Sequence, residues 1–315
     1  MPWWACGTGF GTDGTAVERQ RAQDLDGDRW FTFTGRAGTH LVPAATMVPV
    51  RSRHGSFDVA VRDSGGPGPA AVLVHGWMAD SVTNWHCCID VLAGRGWRVL
   101  AVDLPGFGRS GLRGRWSMGA AADAVGQAVA ALGVSQAVWC GYSLGGPVCL
   151  KATALARGGT GLCSVRGLVL SATAARIVPD RARRMGLWGV ERVWGTVGEA
   201  AVTVLRMRAG DNEREARRAD LAGWGLWLAR VVNKRAAAQA GAALARFDGR
   251  DWVAALDVDA EVVITRRDQV VPVWSQLELA GLLGGAVSSV DGGHRYCLTE
   301  DYGAVVADRL ERWRT

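Results

Sequence analysis

Several patterns that would indicate other kinds of protein are missing from this sequence. No run of about 18 apolar residues predicts a membrane-spanning helix, and no basic stretch followed by an apolar one marks a secretory signal. Histidine and cysteine never stand at the spacing of a zinc site. No segment combines basic and aromatic residues as nucleic-acid modules do. We therefore expect no membrane span, metal, cofactor or nucleic-acid partner, and the oligomeric state stays open.

The cysteines follow no recognisable disulfide or redox pattern. The seven cysteines are odd in number and none has C-x-x-C spacing, which argues against a disulfide framework or a redox motif. Reduced, buried thiols in a cytoplasmic chain are the simplest expectation. Cys297 stands shortly after His294 and could approach a catalytic site. We expect no catalytic role for it, because a serine occupies the predicted nucleophile position.

The overall composition predicts a large globular domain. The chain has 315 residues, 49% of them apolar, a mean hydropathy of +0.06 and a formal net charge of +6. That length can bury a substantial core and leaves room for an insertion. Residues 1–46 show no steady period and are predicted to be a poorly ordered N-terminal extension. A small β element around residues 30–33 is the alternative.

Apolar runs alternate with helical patterns along the rest of the chain, which predicts an α/β fold. Residues 98–102, for example, are typical of a strand buried on both faces of a parallel sheet. Residues 120–132 have the apolar stripe of a helix. We predict a mostly parallel eight-stranded sheet flanked by helices. Its strands are expected near residues 47–54, 57–63, 70–75, 98–103, 136–142, 166–173, 260–265 and 286–290.

The most informative segment is residues 141–145, which read Gly-Tyr-Ser-Leu-Gly, with Ser143 at the centre. A strand is predicted before it and a helix after it. A serine on so sharp a turn is exposed as a nucleophile, and glycines two positions away on each side avoid a Cβ that would collide with the opposite arm of the turn. The pentapeptide alone is equally typical of an ordinary glycine turn, because the chain has 43 glycines.

A catalytic triad can be completed in the order serine, acid, histidine along the chain. Of the five histidines, only His294 lies well downstream of Ser143, after a predicted strand and a glycine turn. Asp268 comes just past the strand 260–265, on a loop closed by Pro272. A carboxylate there can orient the His294 imidazole, which would take the serine proton.

Other carboxylates compete with Asp268 for the role of the acid. A lone aspartate beside arginines is more often a solvated loop residue, but its position after a strand and its order in the chain favour the catalytic interpretation. Asp291 is too close in sequence to His294 to orient its imidazole well. Asp257 and Asp259 precede the strand, at its wrong end.

The loop after strand 70–74 is predicted to face the nucleophile. It reads His75-Gly76-Trp77-Met78. The backbone N–H groups of Trp77 and Leu144 are the candidate oxyanion donors. His75 precedes the serine, and a histidine at a strand end more often hydrogen-bonds loop backbone, so we expect a structural role for it.

Five ordered segments make the chain resemble the α/β-hydrolase fold superfamily from about residue 47 to the C-terminus. They are residues 74–77, 103–110, 141–146, the strand that leads into Asp268, and residues 293–294. The resemblance is to bacterial hydrolases with H-G-x, D-x-x-G-x-G-x-S and G-x-S-x-G-G signatures. Serine at the centre argues against the haloalkane dehalogenase and epoxide hydrolase branches, which use aspartate there. Thr265 departs from the family pattern, since many members have a glycine three residues before the acid.

The resemblance implies a serine hydrolase with Ser143 as nucleophile, His294 as base and Asp268 as acid. Carboxylic esters of small apolar or anionic acyl groups are the first expectation. A thioesterase, a C–C bond hydrolase and an acyltransferase share the triad and stay open. A small-molecule binder on the same fold is the non-enzymatic alternative. The turn at residues 103–110 lacks the full dinucleotide pattern, so we interpret it as a loop near the pocket.

An insertion is predicted between two parts of the core, residues 47–174 and 260–315. Residues 175–259 are more than a crossover needs, and their composition is helical, so we expect a helical cap over the nucleophile. Between residues 176 and 251, 15 Arg and Lys face 9 Asp and Glu. This surplus would attract an anionic substrate, although a solvated helical face in a chain rich in arginine is the simpler explanation. The candidate pocket residues, which packing between cap and core would also explain, are Met78, Tyr142, Trp188, Trp224 and Trp227.

Overall fold

A computed structural model describes residues 30–35, 38–159, 162–177 and 233–314 of the chain. The strands are β1 (Trp30–Gly35), β2 (Gly38–Pro43), β3 (Ala45–Ser52), β4 (Gly55–Asp63), β5 (Ala70–Val74), β6 (Arg98–Val102), β7 (Gln136–Tyr142), β8 (Ser164–Ser171), β9 (Ala260–Thr265) and β10 (Ala286–Val290). The helices are α1 (Ser81–Gly94), α2 (Met118–Ala131), α3 (Gly145–Arg157), α4 (Lys234–Arg246), α5 (Val273–Leu283) and α6 (Asp301–Leu310).

Strands β3 to β10 form one eight-stranded sheet in the order β10-β9-β8-β7-β5-β6-β4-β3. All neighbours pair in parallel except at one end, where β4 is antiparallel to both β6 and β3. The eight predicted strands are each present within two residues of their expected bounds. The prediction of a mostly parallel sheet flanked by helices is therefore confirmed.

The centre of the sheet is covered on both faces, which explains why its strands are continuously apolar. All five residues of β5 are buried. Val72 and Val74 belong to the hydrophobic core that also contains residues of α2 and α3, whereas Ala71 and Leu73 belong to the core on the α1 and α6 face. Burial of each Val or Leu side chain contributes roughly 1.5–3 kcal/mol. The sheet therefore gives the loops at its carboxyl edge a rigid base.

The strands β1 and β2 form an antiparallel hairpin outside the main sheet. Its side chains Trp30, Phe33 and Val42 are buried in the same core as α1, and His40 Nδ1 lies 3.4 Å from Asp90 Oδ1 on that helix. The prediction of a poorly ordered extension is therefore wrong for these strands, because their apolar side chains have a helix to pack against. Residues 1–29 lie outside the described residues.

Only part of the predicted cap, residues 175–177 and 233–259, lies within the described residues. It contains α4, and the Gly249 N–H donates to Ala175 O at 2.8 Å, which joins the two described ends of the insertion. Helix α4 rests on the core, since Trp77 Nε1 donates to Ala237 O at 2.9 Å. Residues 178–232, with Trp188, Trp224 and Trp227, lie outside the described residues, so the helical cap stays a prediction.

A membrane span and a metal-binding cluster are both absent from the described residues. No helix there combines the length and the hydropathy needed to cross a bilayer. No group of three His, Cys, Asp or Glu side chains in the same ranges could hold a metal ion. The six cysteines that the structure describes are all buried free thiols, as expected of an unbridged chain.

Candidate active site

The three predicted triad residues meet at the carboxyl edge of the sheet. Ser143 directly follows β7, Asp268 follows β9 and His294 follows β10. His294 Nε2 lies 3.1 Å from Ser143 Oγ, and His294 Nδ1 lies 2.9 Å from Asp268 Oδ2. An unbroken chain of hydrogen bonds thus links a hydroxyl to an imidazole and the imidazole to a carboxylate. This is the arrangement in which a histidine can remove the serine proton.

The turn at residues 141–146, which we call the elbow, is strained and closely packed. Ser143 has a φ of +52°, a left-handed conformation that non-glycine residues rarely adopt. A Cβ at Gly141 would lie 2.8 Å from the carbonyl carbon of Gly145, so that position has to be glycine. A Cβ at Gly145 would collide with Val74 O. The second glycine therefore makes room for the neighbouring strand β5, and not for the opposite arm of the turn as predicted.

The end of β8 fixes the backbone of the nucleophile. Ser143 N–H donates to Ser171 O at 3.0 Å, and the Thr173 hydroxyl donates to Ser143 O at 2.7 Å. Both partners are buried. These bonds hold the strained residue in place, which is how a costly backbone conformation persists at a site. No sequence pattern indicates Thr173, because its role depends on strand order.

Four hydrogen bonds hold the Asp268 carboxylate. Besides His294, it accepts from the amides of Val270 and Val271, at 2.8 and 2.9 Å, and from the Thr265 hydroxyl at 2.8 Å. Burial acts to raise the pKa of Asp268, but the bonds from His294, Val271 and Val270 outweigh it, and the pKa lies below its usual value. The carboxylate therefore stays ionised and can stabilise a protonated His294.

Tyr142 supports the histidine and does not line a pocket. Its side chain is 3% exposed, and its hydroxyl donates to His294 O at 2.7 Å. The ring packs edge-on against Trp85 and Tyr302 in the core on the α1 face. The prediction of Tyr142 as a pocket residue is therefore wrong, because the strand geometry directs its side chain into that core.

The loop after β5 lies directly against the elbow. A Cβ at Gly76 would lie 3.4 Å from Ser143 Cβ. The next two residues of this loop, Trp77 and Met78, therefore begin beside the nucleophile. Gly76 N–H donates to Asn84 Oδ1 on α1 at 2.8 Å. The other amide atom, Asn84 Nδ2, is buried with no hydrogen-bond partner among the described residues. The sequence did not single out Asn84, since its place on a helix gives no hint of its contact with this loop.

His75 has the structural role that was expected. It is fully buried, and its Nε2 accepts from Leu104 N–H at 2.9 Å while its Nδ1 lies 2.8 Å from Gly76 O. Burial lowers its pKa, so the ring is neutral, donates from Nδ1 and accepts at Nε2. It ties the loop after β5 to the loop after β6 and does not contact the nucleophile.

The turn at residues 103–110 closes on its own carboxylate. Asp103 Oδ1 accepts from Ser81 N–H at 2.8 Å and Asp103 Oδ2 from Arg109 N–H at 2.9 Å. A Cβ at Gly108, which has a φ of +51°, would collide with that carboxylate. The glycine makes room for an internal acid, so these contacts give the turn a structural role.

A buried group of charges lies beneath these loops. Asp80 caps α1 by accepting from Thr83 N–H at 2.7 Å. Burial and the nearby Asp103 raise the pKa of Asp80 to about 6. Arg62 offsets part of that negative charge and donates from Nη1 to Pro43 O at 2.9 Å. The group holds the start of α1, and with it Asn84, at a fixed position.

Comparison with known proteins agrees with this architecture. A profile of the α/β hydrolase fold matches residues 69–301. The pimeloyl-[acyl-carrier protein] methyl ester esterase of Methylococcus capsulatus is 33% identical over 245 residues, which cover 72% of this chain and 87% of that protein. The chain therefore belongs to the α/β-hydrolase fold family, and it is a hydrolase enzyme.

Solved structures show the same fold at low identity. An esterase from Exiguobacterium antarcticum superposes with a TM-score of 0.68 at 20% identity, covering 86% of this chain and 99% of that one. A bromoperoxidase from Bacillus anthracis also gives a TM-score of 0.68, at 17% identity, covering 85% of this chain and all of that one (100%). At these identities the likeness shows the fold alone, and the chemistry has to be argued from the site.

Proposed function

We propose that this protein hydrolyses a carboxylic ester through a triad of Ser143, His294 and Asp268. The observation that supports this most directly is the pair of contacts at His294, 3.1 Å to Ser143 Oγ and 2.9 Å to Asp268 Oδ2. Both ring nitrogens are engaged, so Nδ1–H donates to the carboxylate and Nε2 is left to accept the serine proton. The nucleophile, the base and the residue that orients the base are therefore all in contact.

The reaction proceeds in two half-steps. Ser143 Oγ attacks the ester carbonyl carbon as His294 takes its proton, and the same proton then passes to the departing alcohol. Water, deprotonated by His294, then attacks the acyl-enzyme, and His294 returns that proton to Ser143 Oγ as the bond between Oγ and the acyl carbon breaks and the acid leaves. The backbone N–H groups of Trp77 and Leu144 are the proposed donors to the oxyanion in both steps. The N-terminus of α3 lies directly behind the elbow and favours the same negative charge.

The substrate we propose is the ester of an acyl chain that carries negative charge or is attached to an acidic carrier. The Methylococcus capsulatus relative is named for a methyl ester on an acyl-carrier protein. The surplus of basic residues between 176 and 251 would attract such a substrate. Met78 beside the elbow, and Trp188, Trp224 and Trp227 in the insertion, remain the proposed pocket residues. Thioester, C–C and acyl-transfer chemistry would use the same triad, and no contact in the site favours them.

Labelling with a fluorophosphonate probe tests this proposal. We expect one adduct on Ser143, located by mass spectrometry, in the wild type and in a Ser56→Ala control, which changes an exposed serine far from the elbow. Ser143→Ala should lose the adduct and lower kcat on p-nitrophenyl esters at least about 10⁴-fold. Wild-type protein that is folded but unlabelled and inactive on the ester series would contradict the proposal.

A further inference from the structure

A cavity lies away from the triad, between the β3–β4 turn and the start of α2. Its volume is about 370 Å³. Its walls come from residues 51–54 and Phe57, from the segment 112–117, from the first turns of α2 and from Pro105. No residue of the triad or of the loop 75–78 lines it. We call it the basic groove, and its chemistry is independent of the proposed ester hydrolysis.

Positive charge gathers at the mouth of the basic groove. Arg51, Arg53 and Arg113 line it and are exposed. Among the described residues, no carboxylate lies within ion-pair distance of these three guanidinium groups. Asp123 is the only carboxylate among the described lining residues, and it accepts from Gln127 Nε2 at 2.7 Å. Like charges placed together raise the local potential, and a bound anion would relieve that repulsion.

Hydrogen bonds and packing contacts hold the wall formed by residues 51–54 in place. Arg51 N–H donates to Gln127 Oε1, and Gln127 Nε2 donates back to Arg51 O, both at 2.9 Å, which fastens β3 to α2. The His54 ring lies against Gly114, where an added Cβ would collide with it. Arg53 Nε donates to His54 Nε2 at 3.0 Å. The arginine-bearing turn is therefore positioned before any ligand arrives.

The floor of the groove is apolar and ends at a helix N-terminus. Trp116, Ala121 and Ala124 are 2%, 1% and 3% exposed, and Phe57 and Leu112 add further apolar surface. Ser117 caps α2, whose first turn contains no acidic residue, so the partial positive charge of the helix end is not neutralised there. The groove thus combines a cationic rim with an apolar base.

We propose that the basic groove binds a small organic phosphate monoester. The phosphate would lie among Arg51, Arg53 and Arg113, since guanidinium groups match phosphate oxygens in geometry and charge. The apolar part of the ligand would rest on the floor at Trp116. Three guanidinium groups that have no carboxylate partner among the described residues, together with a helix N-terminus, exceed what one carboxylate charge requires, so a dianion fits better than a monoanion. The volume is that of a small-molecule site.

Calorimetric titration of the full chain tests this assignment, with phenyl phosphate, inorganic phosphate and benzoate as probes. We expect phenyl phosphate to bind one to one, at least about tenfold more tightly than inorganic phosphate or benzoate, and more weakly at high salt. The Ser143→Ala variant should bind it equally, which separates the groove from the triad. The Arg53→Gln, Arg113→Gln double variant should weaken binding at least about tenfold.

The matched control is Arg314→Gln. Arg314 is exposed and lies beside Gly96, just before the amino end of β6. This variant should leave the affinity for phenyl phosphate unchanged. The proposal is overturned if phenyl phosphate does not bind, or if the double variant binds it as the wild type does. Equal affinity for benzoate would overturn the assignment to a phosphate. Loss of binding in Ser143→Ala would move the ligand to the triad and overturn the separate site.

Discussion

Two glycine turns follow two parallel strands of this sheet, and they use their glycines in opposite ways. After β6, Gly108 makes room for the Asp103 carboxylate, which accepts hydrogen bonds from two backbone amides. After β7, Gly141 and Gly145 make room for main-chain atoms of the turn and of β5. The side chain of Ser143 is left to contact His294 at 3.1 Å.

The difference shows how a turn becomes a reaction site. In the first turn the Asp103 carboxylate is fully engaged in hydrogen bonds with backbone amides. Removing this side chain should therefore lower the free energy of unfolding. In the second turn, hydrogen bonds with Ser171 and Thr173 at the end of β8 hold only the backbone of the serine, so its side chain remains available for chemistry. Changes at the elbow and at its partners should therefore lower activity, whereas changes at the first turn should lower the free energy of unfolding.

The largest effect in this comparison is expected from Asp268→Asn, which keeps the fold but removes the charge behind His294. An amide can hold the imidazole in the wrong tautomer and cannot stabilise its protonated form, so kcat on an ester should fall by about 10³–10⁴. The control is Asp291→Asn, which removes exposed ion pairs with Arg267 at 3.1 Å and with Arg266 at 3.7 Å. Full activity in Asp268→Asn, or its loss in Asp291→Asn, would show that the acid is assigned wrongly.

At the first turn, Asp103→Ala should act on stability. The Ser81 N–H would lose its acceptor in a buried setting, at about 1–3 kcal/mol, and the Arg109 N–H would lose its acceptor in a partly buried one, at about 1 kcal/mol. We therefore expect the free energy of unfolding to fall by about 2–4 kcal/mol. Denaturant titration measures it, with Asp58→Ala at an exposed position as control. The folded fraction should keep kcat within about tenfold. Unchanged stability with lost activity would instead make Asp103 a catalytic residue.

Much of this comparison could be predicted from the sequence. Strand, glycine turn and helix follow one another in the chain, so the elbow and the order of Ser143, Asp268 and His294 could be read from local patterns. The supports of the site could not. Asn84 and Thr173 act across elements, and a linear pattern does not say which helix or strand faces a loop. For the β1–β2 hairpin the sequence offered a small β element only as the alternative to a poorly ordered extension, because the order of the hairpin depends on packing against α1.

A smaller effect on activity is expected from Asn84→Ala, which removes the acceptor of Gly76 N–H. The loop 75–78 would lose a fixed point beside the nucleophile, and direct oxyanion donors are worth about 10²–10³ in kcat. We therefore expect kcat to fall about ten- to a hundredfold while KM changes little. The unpaired Nδ2 is removed as well, which limits the loss of stability. An unchanged kcat, or a loss that appears only in KM, would argue against a positioning role.

The smallest effect is the pH dependence of stability at Asp80. Its pKa is raised from 3.8 to about 6 by burial and by Asp103, with Arg62 opposing. Between these values the folded state binds more protons than the unfolded state, so this carboxyl favours folding at low pH and loses that contribution as the pH rises through about 6.

Asp80→Asn keeps an acceptor for Thr83 N–H but cannot titrate. Relative to wild type, the free energy of unfolding of the variant should therefore rise by about 1–3 kcal/mol from pH 4 to pH 7, measured by urea titration beside an Asp308→Asn surface control. Parallel pH profiles for Asp80→Asn and wild type would show that the buried carboxyl titrates as it does in the unfolded chain.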